Sequence, residues 1–169
     1  RPYDYRSKGD DARRQLFEAR LGALRALGGD DLLVPESPAL GGFGYGIDGR
    51  LFNVDTLKFY EALIAMERGG VLSELRAREH PVVCEIGAGW GGFAYQFKTL
   101  FPRSTYVIVD FPELFLFSAT YLTTLFPEAR VAFVDSGDTV WGDVRDADFV
   151  FVPDTLVSRE GLMAADVLV

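Results

Sequence analysis

A glycine-rich turn between a predicted strand and a predicted helix constrains the fold of this 169-residue chain more than any other feature. Residues 81–86 form a short apolar run that predicts a buried strand, and residues 91–101 repeat large apolar side chains at helical spacing. Between them, Gly87, Gly89 and Gly91 allow a tight turn and a close approach of a ligand, because no Cβ stands in the way. This arrangement is typical of the first strand and helix of a parallel α/β sheet.

Beyond this turn, predicted helices and strands alternate, at residues 105–110, 112–126, 130–135 and 165–169. The alternation predicts a Rossmann-like α/β fold, with a parallel-type sheet flanked by helices. Asp110 and Asp135 end two of the strands after a repeated Thr-Leu-Phe-Pro segment, so we expect both at the carboxyl edge, where such sheets bind ligands. The last strand ends the sequence without a closing element, so we expect the chain to cover only the first half of the sheet.

The residues before the first strand differ in composition from the rest. One helix is predicted from about residue 11 to residue 27, and residues 28–53 hold seven glycines and two prolines, which indicates a long loop. Two more helices are predicted at 55–68 and 71–79. We interpret residues 1–53 as an N-terminal cap or lid, and residues 54–169 as the Rossmann-like domain with its leading helices.

The turn and the following strand end predict a cofactor site for which the residues allow two cofactors. Gly87, Gly89 and Gly92 match G-x-G-x-x-G, the pattern of NAD-binding proteins, and Asp110 is placed to accept hydrogen bonds from a ribose diol. Glu85 opens E-x-G-x-G-x-G, and its carboxylate would repel a pyrophosphate but attract the ammonium and sulfonium of S-adenosylmethionine. The residues therefore favour S-adenosylmethionine, while NAD and a purely structural turn with a helix-capping Asp110 stay open.

Residues 84–122 resemble the sugar O-methyltransferases of bacteria, which are class I S-adenosylmethionine-dependent methyltransferases. The resemblance lies in the Glu-Ile-Gly-Ala-Gly-aromatic-Gly-Gly turn, the Leu-Phe-Pro before the next strand and the Asp-Phe-Pro-Glu after it. Residues 52–60 and 148–153 are also similar to that family. The resemblance implies a class I methyltransferase fold with an N-terminal helical cap, and transfer of a methyl group to a hydroxyl of a sugar or sugar-containing metabolite.

The resemblance also implies a set of cofactor-binding residues: Glu85, Gly87, Ala88, Gly89, Gly91, Asp110, Phe111, Asp135 and Ser136. Within this set, Asp135 or Ser136 would meet the adenine edge, although an Asp-Ser-Gly turn explains them equally well. Phe111 would pack on the adenine ring or in the core. The acceptor candidates, for each of which an ordinary structural role is favoured, are Tyr45, Asn53, Asp55 and Tyr60.

The composition limits the classes of partner that this chain is expected to bind. The 17 Lys and Arg against 25 Asp and Glu give a net charge of −8, which argues against nucleic acid and anionic membranes. No apolar run reaches the roughly 18 residues of a membrane span. Cys84 is the single cysteine, so a reducing, cytoplasmic location is expected. The composition neither requires nor excludes a homo-oligomer.

The sequence assigns no catalytic base and no metal site. His80 is the single histidine and precedes the first strand, at the edge of the sheet away from the turn. There is no Cys/His cluster, and no spacing argues for a carboxylate-bound Mg²⁺. The alternatives to a methyltransferase are an NAD-dependent oxidoreductase or epimerase, and a non-catalytic methyltransferase-like scaffold.

Overall fold

The first half of the chain packs helices around a small hairpin, and the second half is built on a sheet. The structure is a computed structural model that describes residues 11–135, 146–157 and 159–169. It divides into two compact units, Arg1–Gly69 and Gly70–Val169. This division falls later than the predicted domain boundary at residue 53, because the helix that follows residue 53 packs on the first helix of the chain.

Two helices make up most of the N-terminal unit. Helix α1 (Asp11–Gly28) and helix α2 (Val54–Arg68) both follow the predicted spans closely. The Tyr60 hydroxyl, buried on α2, donates to the carbonyl oxygen of Gly29 just beyond α1. Arg68 at the end of α2 donates to the carbonyl oxygen of Leu27, at 3.2 Å. These bonds join the two helices and place α2 in the first unit.

Part of the predicted loop between α1 and α2 forms a β-hairpin, which the high glycine content of this segment did not indicate. Strands β1 (Tyr45–Ile47) and β2 (Arg50–Phe52) pair antiparallel. Asp48 and Gly49 connect them with φ angles of 51° and 74°. An Asp-Gly pair between two short strands is a recognised hairpin signal, since both turn residues need positive φ. The prediction of one long loop over residues 28–53 was therefore wrong for residues 45–52, which form two paired strands.

The second unit is an α/β structure with a five-stranded parallel sheet flanked by helices, compatible with a Rossmann-like fold. Its strands are β3 (Val82–Ile86), β4 (Thr105–Asp110), β5 (Val131–Phe133), β6 (Phe149–Pro153) and β7 (Val167–Leu168). Its helices are α3 (Val71–Arg76), α4 (Gly92–Leu100), α5 (Phe115–Leu125) and α6 (Arg159–Met163). The predicted fold class is confirmed at this level. None of the helices in the described ranges is long and apolar enough to cross a bilayer.

Both faces of the sheet are buried, which explains why its strands are continuous apolar runs. One face is aliphatic, with Cys84, Val107 and Val150 in a single core cluster. The other face is aromatic: Phe97 of α4 packs on Tyr106, with ring centroids 5.6 Å apart. On the same face, α5 and the residue after it contribute Phe115 and Phe126, which pack on Phe151 and Phe149.

The strand order of the sheet does not follow the order of the strands along the chain. The order is β5-β6-β4-β3-β7, so β6 lies between the strands that lead to Asp110 and Asp135. Four of the five residues of β6 are fully buried, whereas Phe133 of β5 is 58% exposed. A strand buried on both faces belongs in the interior of a parallel sheet, and the shorter, less buried β5 takes the edge.

A partly buried ion pair connects α4 with the strands at the amino edge of this sheet. Lys98 is 4% exposed and donates to the carbonyl oxygen of Ser104 and, at 3.0 Å, to the carboxylate of Asp148. Burial lowers the pKa of Lys98, and Asp148 opposes that effect. Burial alone would raise the pKa of Asp148, but hydrogen bonds from the Arg130 N–H and from Lys98 hold that pKa below its usual value.

We predict that Asp148→Asn lowers the free energy of unfolding by about 2 kcal/mol at pH 7, because Lys98 stays buried without a counter-charge. The lowered pKa means that the carboxylate contributes fully above the unfolded-state pKa of about 3.9 and loses its contribution as the pH falls through the folded-state pKa. Urea unfolding from pH 7 to pH 3 should therefore show that the difference in the free energy of unfolding between wild type and Asp148→Asn decreases below about pH 4. The exposed Glu128→Gln is the control, and a gap that persists undiminished at pH 3 would contradict this account.

Candidate functional site

The glycine-rich turn lies at the point where the direction of strand addition reverses. From β3 the chain proceeds to β4 on one side, and it later returns to pair β7 on the other side of β3. In open parallel sheets the connections diverge at such a point and leave a crevice at the carboxyl ends of the strands. The turn of residues 87–91 follows β3 directly, so it lies at this crevice.

The glycines of the turn serve two different purposes. Gly87, Gly89 and Gly91 have φ angles of 81°, 58° and 86°, where other residues are strained. A Cβ built on Gly87 or Gly89 meets no heavy atom within 4 Å, so both border open space. A Cβ on Gly91 would lie 3.3 Å from side-chain atoms of Leu122 and Ser118. The first two glycines therefore leave room for a ligand, and the third allows α4 and α5 to pack closely.

Asp110, the last residue of β4, is held against this turn. One carboxylate oxygen accepts a hydrogen bond from the Gly89 N–H and the other from the Phe111 N–H, both at 2.8 Å. The residue is only 7% exposed. Two backbone donors hold the carboxylate in one orientation, and each oxygen keeps a second lone pair for another donor. Asp110 is thus an oriented acceptor beside the open side of the turn.

Glu85 lies inside the domain beneath the turn. Its carboxylate accepts a hydrogen bond from the Tyr106 hydroxyl at 2.9 Å, and the residue is 9% exposed. Burial raises the pKa of Tyr106 well above its ordinary value, and the negative charge of Glu85 raises it further. Tyr106 therefore remains a hydrogen-bond donor to the carboxylate at neutral pH. The contact of Glu85 with a bound methionine group stays a prediction.

Ala88 and Trp90 of the turn make contacts within the domain, whereas Phe111 is exposed. The Gly91 N–H donates to the Ala88 carbonyl at 3.0 Å, which closes the turn. Trp90 packs edge-on against Tyr121 of α5, with ring centroids 5.0 Å apart, so its ring is taken up by packing within the domain. Phe111, directly after Asp110, is 60% exposed and is available for contact with a ligand.

The strand order brings another carboxylate toward Asp110. Pro153 of β6 is the register partner of Asp110, and Asp154 follows it at the start of a short 3₁₀ helix. Asp135 is exposed and lies one strand further out, after β5, while Ser136 is outside the described residues. Sequence reasoning missed Asp154 because β6 was not identified as a strand, although its apolar run with an aspartate after it was a signal.

The acceptor candidates of the first unit have structural roles. Asn53 begins α2: its side-chain oxygen accepts from the Thr56 N–H at 2.8 Å, and the Thr56 hydroxyl accepts from the Asn53 N–H, which forms a capping box. Tyr60 bonds the end of α1, and Tyr45 packs on Phe17 with ring centroids 4.9 Å apart. Asp55 is a half-buried residue in the first turn of α2.

His80 and Cys84 are not placed for nucleophilic chemistry at the turn, and the described residues form no metal-binding cluster. His80 is exposed just before β3, with its ring 3.9 Å from Glu79, at the edge of the sheet away from the turn. Burial, with the nearby charge of Glu85, raises the pKa of Cys84 to about 11, so its thiol is neutral. Across the described ranges, no group of three His, Cys, Asp or Glu side chains could hold a metal ion.

No family model, no curated protein and no solved structure matches this chain. A function for this chain is therefore inferred from the geometry of this site and from the sequence motif that forms it.

We predict that Tyr106→Phe destabilises the protein by about 1–2 kcal/mol, because the carboxylate of Glu85 loses a donor in a buried place. Glu85→Gln should cost less, since its amide oxygen can still accept from Tyr106. Urea unfolding of the wild type and of both single variants gives the two changes in the free energy of unfolding. A Tyr106→Phe variant as stable as the wild type would show that this hydrogen bond does not stabilise the protein.

Proposed function

We propose that the chain is a class I S-adenosylmethionine-dependent methyltransferase that methylates a hydroxyl of a sugar or sugar-containing metabolite. The observation that carries the cofactor is the Asp110 carboxylate, bonded to the Gly89 N–H beside two glycines that border open space. A ribose diol can donate to that carboxylate while the adjoining chain passes over the glycines. Such a ligand is expected at the point where the direction of strand addition reverses, and the turn lies there.

The other residues at this edge suit the parts of the cofactor. Exposed Phe111 offers a ring for adenine, and Asp154 offers an acceptor for its amino group. Glu85 contributes a fixed negative charge beneath the turn, which favours the ammonium and sulfonium of the methionine part. The same charge disfavours a pyrophosphate, so it supports S-adenosylmethionine over NAD.

When bound, S-adenosylmethionine supplies a methyl carbon that is already activated by a positively charged sulfur. Transfer of that methyl group to an acceptor hydroxyl would release the neutral thioether and would need a base to take the hydroxyl proton. The described residues contribute orientation: the turn and Asp110 fix the cofactor so that the acceptor can approach in line. The sugar acceptor is supported by the resemblance of residues 52–60 and 148–153 to sugar O-methyltransferases.

Calorimetric titration with S-adenosylhomocysteine and with NADH tests the cofactor. We expect saturable binding of S-adenosylhomocysteine and no binding of NADH. Asp110→Asn should weaken S-adenosylhomocysteine at least tenfold, about 1.4 kcal/mol, because the amide repels one of the ribose hydroxyl donors. An analogue without the ribose hydroxyls should bind the variant and the wild type equally, which separates loss of the contact from general damage to the turn. Binding of NADH alone would overturn the proposal.

The charge of Glu85 gives an independent test. Glu85→Gln keeps an acceptor for Tyr106 but removes the negative charge, so S-adenosylmethionine should bind several-fold more weakly while adenosine binds unchanged. Competition between the two ligands against a fluorescent adenosine analogue measures both affinities. Equal affinity of wild type and variant for S-adenosylmethionine would show that the carboxylate does not act on the cofactor.

Transfer itself is measured as S-adenosylhomocysteine formed in the presence of nucleotide-linked sugars, against simple alcohols and phenols. Turnover with sugars only is the expected result. Binding of the cofactor together with turnover only on non-sugar hydroxyls would keep the methyltransferase and overturn the sugar acceptor.

A further inference from the structure

A cavity lies at the edge of the sheet opposite the glycine-rich turn, entirely within the second unit. It has a volume of about 240 Å³ and lies between the end of α3, the start of β3 and the loop from α4 to β4. Among the residues that the structure describes, its lining includes three arginines, Arg76, Arg78 and Arg103, and no acidic residue. We call it the basic cavity.

The three arginines are held in different ways. Arg78 pairs with Asp166 at 2.9 Å, and the other oxygen of Asp166 accepts from the Val82 N–H at 2.8 Å, so this guanidinium is anchored to the sheet. The Arg76 guanidinium lies over the ring of Phe101, 5.7 Å from its centroid. Arg103 is exposed and makes no ion pair or hydrogen bond with any residue that the structure describes.

The basic cavity is lined by positive charge, although the chain as a whole is negatively charged. The protein carries a net charge of −8, and yet three arginines line one small cavity, where Asp166 pairs with Arg78. The nearby Glu79 contacts His80 at 3.9 Å and does not line the cavity. Helices α3 and α4 also end at this edge, and the negative ends of their dipoles offset part of the positive charge. An anion beside Arg103 would add a counter-charge that the described residues do not supply to it.

We propose that the basic cavity binds a small oxyanion, a phosphate group, independently of the cofactor site. Guanidinium groups present planar pairs of N–H donors that match phosphate oxygens two at a time. The volume lies below the roughly 300–1,000 Å³ of pockets for larger organic ligands, so it suits inorganic phosphate or the phosphate group of a small metabolite. The anchored Arg78 and the ring-packed Arg76 are ordered before binding, which lowers the entropy lost on binding.

Titration with inorganic phosphate, followed by calorimetry and by the melting temperature, tests this site. We expect saturable binding that weakens as sodium chloride is raised. Arg103→Gln should weaken phosphate about tenfold, and Arg76→Gln by a similar factor. The control is Arg159→Gln, an exposed arginine on α6 outside the cavity, which should bind phosphate as wild type does. Because Arg103 is exposed and without a described partner, its variant should fold normally.

The outcomes distinguish phosphate binding by these arginines from a purely stabilising role. If the arginines only balance the helix ends, Arg103→Gln and Arg76→Gln lower the melting temperature, and phosphate raises it in none of the proteins; that result overturns the proposal. Equal weakening by Arg103→Gln and Arg159→Gln also overturns it. Glucose 6-phosphate added as a competitor identifies the source of the anion: tighter binding than inorganic phosphate indicates a phosphorylated metabolite, and weaker binding indicates the free ion.

Discussion

The hydrogen bond from the Gly89 N–H to the Asp110 carboxylate joins the turn after β3 to the end of β4, and the site depends on it. It forms because Ile86 and Val109 are register partners, which brings the two strand ends level. Side chains alternate between the faces of a strand, so a shift of one residue would turn Asp110 to the opposite face. The register of two buried strands therefore decides whether this edge can hold a ligand.

Two polar pairs accompany this register. Glu85 and Tyr106 form a buried hydrogen bond between β3 and β4, and the partly buried pair of Lys98 and Asp148 joins α4 to the start of β6. Burying such groups costs free energy that only well-placed partners offset. Each pair also fixes a contact between particular strands, because a slipped strand would leave a charge unpaired. The polar pairs thus contribute to specifying the register that the ligand edge requires.

The sequence predicted the individual elements of the second unit better than their arrangement. Residues 105–110 were predicted as a strand to the residue, and the turn at Gly87 and Gly89 was located from the motif alone. Asp110 and Asp135 were both expected at the carboxyl edge of the sheet. Because β6 lies between their strands, Pro153 is the register partner of Asp110, and Asp154 is the next residue. Pairing partners depend on burial of whole strands against one another, which local patterns do not contain.

By itself the sequence determined the glycine turn, the parallel α/β class and the carboxylate at the end of β4, because backbone freedom and apolar periodicity are local properties. Only the tertiary structure decided that Glu85 is covered by Tyr106, that Gly91 serves packing while Gly87 and Gly89 border open space, and that three arginines share one cavity. Those features join residues that are distant in the chain. They exist only once the strands have paired in one order and register.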